Sequence, residues 1–97
     1  MVSNFKRTFI FHNDPGHAWL QVETSMIKAL NVTGISSFSY IDGAAGLIAF
    51  LEEDCDAGLF LNAYKEKWPD TEIKFDEVYL NVDHWIRELP SFQEVRQ

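Results

Sequence analysis

The feature that most constrains this sequence is the stretch 46–67, in which a strand pattern, a group of acidic residues and a helix pattern follow one another directly. The apolar run at residues 47–51 is too short to span a membrane, and Gly46 and Glu52 bound it. A run of this length is typical of a strand that is covered on both faces. We therefore expect residues 47–51 to form a central strand inside a sheet.

A group of carboxylates follows this strand, in a segment that we call the acidic elbow (residues 52–56). Apolar residues then recur at helical spacing up to Tyr64, with Cys55 one turn earlier on the same side, and Pro69 predicts that the helix ends before it. Either Asp54 or Asp56 is predicted to cap this helix, because a carboxylate accepts hydrogen bonds from the free N–H groups of the first turn. The unit is a strand, an acidic elbow and an amphipathic helix.

The rest of the chain supplies the other elements of a small sheet. Alternating apolar residues predict strands at 5–11, 17–22, 37–41 and 73–80, and helical spacing predicts a short helix at 23–30. The apolar phase of the last strand shifts near Asp76 and Glu77, which predicts a bulge or a bend there. The tail around Trp85 and Phe92 is too apolar to be free, so we expect it to pack on a bare sheet face as a turn of helix.

These elements predict one α+β domain over residues 1–97, with the order β-β-α-β-β-α-β. We expect a mainly antiparallel sheet of about five strands with both helices packed on it. The 97 residues are 46% hydrophobic, which is enough for a core without disulfides or metals. With one cysteine and no signal-peptide pattern at the N-terminus, the expected location is the cytoplasm.

The net charge of −7 is unevenly distributed along the chain. Residues 1–49 hold three acidic and three basic residues, whereas residues 50–97 hold twelve and five. An acidic half repels the phosphates of nucleic acid, so direct nucleic-acid binding is not expected and a basic partner is. The alternative is a solvated acidic face that only keeps the protein soluble.

Few residues suggest catalysis or metal binding. Glu52 and Glu53 are adjacent, and neighbouring strand residues point to opposite faces, so we expect no metal site at the elbow and no cofactor. The histidines at 12 and 17 flank a turn and can approach each other, and Cys55 could complete a metal site or a Cys/His pair. The commoner role of histidines beside turns is structural, and we interpret Cys55, in the first turn of an amphipathic helix, as a small buried core residue. Nothing places His84 near them. The three tryptophans, at 19, 68 and 85, are interpreted as core or interface anchors.

Three stretches resemble a group of small phage- and prophage-encoded proteins: GHAWLQV at residues 16–22, SSFSY at 36–40 and LEEDCDAGLFLNAY at 51–64. The resemblance spans about half of the chain and brings no catalytic residues with it. It implies a phage setting, in which small acidic proteins often inhibit host defence. Some anti-CRISPR proteins of this size look like mimics of DNA, in which carboxylates stand in for phosphates.

Charge and resemblance together predict a non-enzymatic inhibitor of the anti-CRISPR type. It is expected to occupy the basic surface of a host nucleic-acid-binding complex as an acidic DNA mimic. The predicted partner-binding residues are Glu52, Glu53, Asp54, Asp56, Asp70, Glu72, Asp76 and Glu77. Two alternatives remain: a small metal- or His-dependent enzyme that uses His17 and the elbow, and a phage structural accessory protein.

Overall fold

The computed structural model describes residues 5–42, 45–82 and 85–92. The strands are β1 (Phe5–Asn13), β2 (Ala18–Glu23), β3 (Tyr40–Ile41), β4 (Ile48–Glu52) and β5 (Thr71–Tyr79), and the helices are α1 (Thr24–Ala29) and α2 (Ala57–Lys67). A short 3-10 helix, Trp85–Glu88, follows β5. The order β-β-α-β-β-α-β and the α+β fold class are confirmed. Neither α-helix within the described residues is long and apolar enough to cross a membrane.

The five strands form one mixed sheet in the order β3-β4-β2-β1-β5. Three neighbouring pairs are antiparallel, as predicted, but β5 runs parallel to β1. The parallel pair arises because α2 carries the chain from β4 across β2 and β1 before β5 begins. A parallel partner needs a crossover of this kind, whereas a hairpin would return the chain antiparallel.

Each face of the sheet has its own core. On one face, α2 places Phe60 and Tyr64 edge-on against Phe9 of β1, with ring centroids 5.6 and 5.5 Å apart. On the other face, Ile86 of the 3-10 helix is fully buried in a cluster with Trp19 and Phe50. The prediction that the tail packs over a sheet face as a turn of helix is therefore confirmed for residues 85–88, whereas Phe92 belongs to the core on the α2 side.

The apolar run at residues 47–51 lies inside the sheet as predicted, because β4 pairs with β2 on one side and β3 on the other. Its buried part is Ala49, Phe50 and Leu51, whereas Leu47 precedes the strand and is exposed. The predicted strand at 37–41 is shorter than expected and begins only at Tyr40. The polar residues before it take part in a hydrogen-bond network described below.

The predicted bulge near Asp76 and Glu77 is wrong. The register between β1 and β5 continues without a break from Thr71 to Tyr79. The shift in apolar phase is tolerated because β5 is an edge strand whose residues from Lys74 onward are exposed on both faces. Because neither face of β5 is buried from Lys74 onward, no burial energy is lost when the apolar residues change face, and the strand stays regular.

Candidate functional site

The acidic elbow is shaped by Glu52, the last residue of β4. Its side chain is buried, and its Oε1 accepts hydrogen bonds from the backbone N–H groups of Asp54 (2.9 Å) and Cys55 (3.0 Å). One buried carboxylate thus satisfies the backbone of the turn that connects β4 to α2.

Asp56 occupies the N-cap position of α2, but its side chain makes no cap hydrogen bond, so the predicted capping role of Asp54 or Asp56 is wrong. The carboxylate is 1% exposed and turns instead toward the loop that precedes β3. It accepts hydrogen bonds from the Ser36 N–H (3.0 Å), the Ser36 hydroxyl (2.7 Å) and the Ser39 hydroxyl. The Ser39 oxygen in turn accepts the N–H of Glu52 at 2.9 Å. Asp56 therefore ties this loop to the elbow.

A cleft of about 350 Å³ opens above the elbow. Aromatic and charged side chains line it: His17, Trp19, Phe38, Tyr40, Glu52, Asp54, Cys55 and Arg87. All three stretches that carry the resemblance to phage proteins contribute residues to these walls. They are far apart in sequence, and the β4–β2 pairing together with the Ser39–Asp56 contact brings them together.

His17 faces the elbow from the turn between β1 and β2, with its Nδ1 3.5 Å from Oε2 of Glu52. Asp14 holds this turn by accepting the backbone N–H groups of Gly16 (3.0 Å) and His17 (2.9 Å). Arg87 anchors Asp14 through two hydrogen bonds of 2.7 and 3.0 Å, and its guanidinium lies 5.2 Å from the centroid of the Trp19 ring. The Asp14–Arg87 pair was not predicted, since no sequence spacing links residues so far apart.

Cys55 is exposed rather than buried, so its predicted role as a small core residue is wrong. Desolvation, the hydrogen bond to Glu52 and the negative charges of Glu52, Asp56 and Asp54 raise the pKa of this thiol above its usual range. A thiol in this environment stays protonated at neutral pH. The cleft therefore does not generate a thiolate nucleophile.

The eight carboxylates predicted to bind a partner fall into two groups. Glu52 and Asp56 are buried and hold the elbow together, so they are not available at the surface. The other six are exposed, namely Glu53, Asp54, Asp70, Glu72, Asp76 and Glu77. We call these six the exposed carboxylates. Of these six, Glu72 is the only one with a basic partner among the described residues, since Lys74 Nζ lies 3.9 Å from its carboxylate.

The elbow and the end of β5 lie in one negative field. The N–H of Glu53 donates to the carbonyl of Ala18, which pairs with Asn13 of β1, and the Asn13 amide donates to Glu77 at 3.2 Å. Partial burial and then the charges of Asp54, Glu52 and Glu77 raise the pKa of the Glu53 carboxyl, although His17 opposes the shift. Within the described residues no Lys or Arg forms an ion pair with these carboxylates, so they repel one another, and His17 offsets part of this repulsion.

The sequence also singles out the other histidines and the tryptophans. His12 is buried, and its Nε2 lies 2.7 Å from Oε1 of Gln21. The ring of Trp68 packs against that of Tyr64, with centroids 4.8 Å apart. Trp19 belongs to the core around Ile86 and Phe50, and Trp85 is half exposed. His84 lies outside the described residues. Within the parts of the chain that are described, no three His, Cys, Asp or Glu side chains are placed to hold a metal ion.

No protein-family model matches the chain, and no curated protein or solved structure matches it either. Function is therefore inferred from the cleft and from the exposed carboxylates.

Proposed function

We propose that this protein is a non-enzymatic inhibitor that binds a basic, nucleic-acid-binding surface of a host protein complex through its exposed carboxylates. The observation that supports this proposal is the arrangement at one end of the sheet. Glu53 and Asp54 on the elbow and Glu77 at the end of β5 are exposed, and within the described residues none of them pairs with a Lys or Arg.

Such an arrangement favours a cationic partner for a physical reason. Like charges held close together by a rigid fold repel one another, and a Lys or Arg side chain placed among them relieves that repulsion. The raised pKa of Glu53 has this repulsion among its causes, after partial burial. A protein that normally binds phosphates presents the required Lys and Arg side chains at its surface.

The proposed target is the DNA-binding surface of a CRISPR effector complex in the cytoplasm of the host cell. This choice follows from the resemblance to phage-encoded proteins, and the charge pattern defines only the class of partner. Carboxylates that occupy the channel for DNA phosphates block target binding without any chemical step. Binding of this type weakens as salt screens the charges.

A matched pair of charge reversals tests the proposal. Glu53→Lys with Asp54→Lys reverses the two exposed charges of the elbow, and Glu23→Lys with Glu66→Lys changes the net charge equally at exposed positions away from the elbow. A purified effector complex is titrated with each variant while its binding to a labelled target duplex is followed by gel shift. The elbow variant should lose inhibition, and the control variant should keep most of it. Equal loss in both variants would indicate a net-charge effect and would contradict a defined site.

The second candidate function is a His-dependent enzyme that works in the cleft. One observation favours it, namely the approach of His17 Nδ1 to the Glu52 carboxylate at 3.5 Å beside a cavity of about 350 Å³. A carboxylate in this position orients an imidazole so that its other nitrogen can accept a proton. The protonated thiol of Cys55 does not supply a nucleophile to this pair, which is why we rank this function second.

A further inference from the structure

The edge strand β5 has an unpaired side. Within the described residues β1 is its only partner, although β5 is nine residues long. Its side chains from Lys74 onward are exposed, and they include the large apolar groups of Phe75, Val78 and Tyr79. A long exposed edge strand with apolar side chains is a template for pairing with another strand.

The backbone geometry shows which groups of β5 are available. The N–H of Leu80, just after the strand, donates to the carbonyl of Asn13 in β1 at 2.9 Å. Because backbone groups of successive strand residues point to alternate sides, the even-numbered residues of β5 bond to β1. The N–H and C=O groups of the odd-numbered residues Ile73, Phe75 and Glu77 therefore point outward.

We propose that this edge binds β5 of a second copy of the chain, antiparallel and with Phe75 at the two-fold axis. The strand sequence TEIKFDEVY is self-complementary in this register. Phe75 lies opposite its own copy as a hydrogen-bonded pair, and residues 72–78 of each copy find a partner. Pairing stops before Thr71, whose N–H already donates to the Trp68 carbonyl at 3.1 Å and whose carbonyl lies 3.5 Å from Lys65 Nζ. Lys74 lies opposite Asp76 of the second copy, and Asp76 opposite Lys74, so two ion pairs form across the interface.

The alternation of hydrogen-bonded and non-hydrogen-bonded pairs along β5 also favours this register. Lys74 and Asp76 are even-numbered, so their cross-strand pairs are of the non-hydrogen-bonded kind, in which side chains approach most closely. Opposite charges at such positions stabilise the pairing, and like charges destabilise it. The rings of the two Phe75 residues meet on the face where Phe75 already packs edge-on against Phe11, with centroids 5.6 Å apart.

Other two-fold registers are less favourable. An axis at Lys74, Asp76 or Glu77 places a charge opposite its own copy. An axis at Ile73 pairs Glu72 with Lys74 but sets Asp76 opposite Asp70 and leaves Val78 and Tyr79 uncovered. Among these registers, the Phe75 register is therefore the one that pairs Lys74 with Asp76 and sets no like charges directly opposite each other.

The dimer shares β5 with the proposed inhibition, because three of the exposed carboxylates, Glu72, Asp76 and Glu77, lie on this strand. Pairing at β5 leaves Glu53 and Asp54 at the elbow exposed, so loss of the dimer need not abolish partner binding. Two-fold pairing is also closed, because the contact uses the β5 edge of each copy.

Charge reversals at the two positions test the register. Sedimentation velocity over a wide concentration range should show a reversible monomer–dimer equilibrium for the wild-type chain. Lys74→Glu and Asp76→Lys should each weaken the dimer about tenfold, because each change turns two attractive pairs into repulsive ones. The double variant Lys74→Glu/Asp76→Lys should restore the dimer. Lys28→Glu and Glu23→Lys, exposed positions off the strand, serve as controls for net charge.

Three outcomes would overturn the proposal: a monomer at all concentrations, a double variant as weak as the single ones, or equal weakening by the control variants. A monomer would leave the edge open to a strand of another protein. Loss of the dimer in Asp76→Lys also separates the registers, because Asp76 has no basic partner when the axis lies at Ile73.

Discussion

Replacing Asp56 by Ala tests the network that shapes the elbow. Removing the carboxylate leaves the Ser39 hydroxyl and the Ser36 N–H without their acceptor. Ser39 is fully buried, whereas Ser36 is partly exposed and can bind water. A buried donor left without a partner costs about 1–3 kcal/mol. For the two donors together we expect the free energy of unfolding to fall by about 3 kcal/mol. For a domain of this size that loss lowers the midpoint of thermal unfolding by about 15 °C.

Urea unfolding followed by tryptophan fluorescence measures this change, and Asp54→Ala is the matched control. Asp54 is exposed and its side chain holds no partner within the described residues, so its removal should change the free energy of unfolding by less than about 0.5 kcal/mol. Ser39→Ala combined with Asp56→Ala should cost clearly less than the sum of the single changes, since the two side chains share a hydrogen bond. If Asp56→Ala is no more destabilising than Asp54→Ala, the network does not hold the elbow.

Three further predictions concern groups around the cleft. Because the pKa of Cys55 is raised, its alkylation by iodoacetamide at pH 8 should be slower than that of a free thiol, and Glu52→Gln should accelerate it. Because the pKa of Glu53 is raised in the folded state, ionisation of this group opposes folding; Glu53→Gln should raise the unfolding midpoint at pH 7, and the gain should vanish below about pH 4. An unchanged midpoint at pH 7 would show that Glu53 is not strained by its neighbours. Arg87→Ala removes the guanidinium that pairs with the buried Asp14 carboxylate and should cost about 2 kcal/mol in urea unfolding, whereas Arg7→Ala, which breaks no ion pair within the described residues, should cost less.

The sequence predicts those parts of the fold whose signal is local. A short apolar run marks β4, alternating residues mark the β1–β2 hairpin, and helical spacing marks α2. The direction of β5 is not local, because it depends on how far α2 carries the chain across the sheet. Helical spacing also groups Leu59 with Phe60 on the apolar side of α2, but Phe60 is buried and Leu59 is 41% exposed.

The candidate site was predictable only in part. The elbow carboxylates are visible in the sequence, but whether each one faces water or the interior depends on its partners. Asp56 is buried because two serines about 20 residues earlier donate to it, and sequence spacing alone does not identify such donors. His17 approaches Glu52 because β2 pairs with β4. The sequence places His17 and His12 on either side of one turn, and this spacing alone does not predict the contact with Glu52.

The measurement that tests the central claim most directly is competition between this protein and duplex DNA for one purified CRISPR effector complex. The complex is held at a fixed concentration with labelled target duplex, and the unlabelled protein is titrated at two salt concentrations. If the exposed carboxylates stand in for phosphates, the protein should displace the duplex, and its affinity should fall as salt rises. Simultaneous binding of protein and duplex at full affinity, with no effect of Glu53→Lys/Asp54→Lys, would contradict the account.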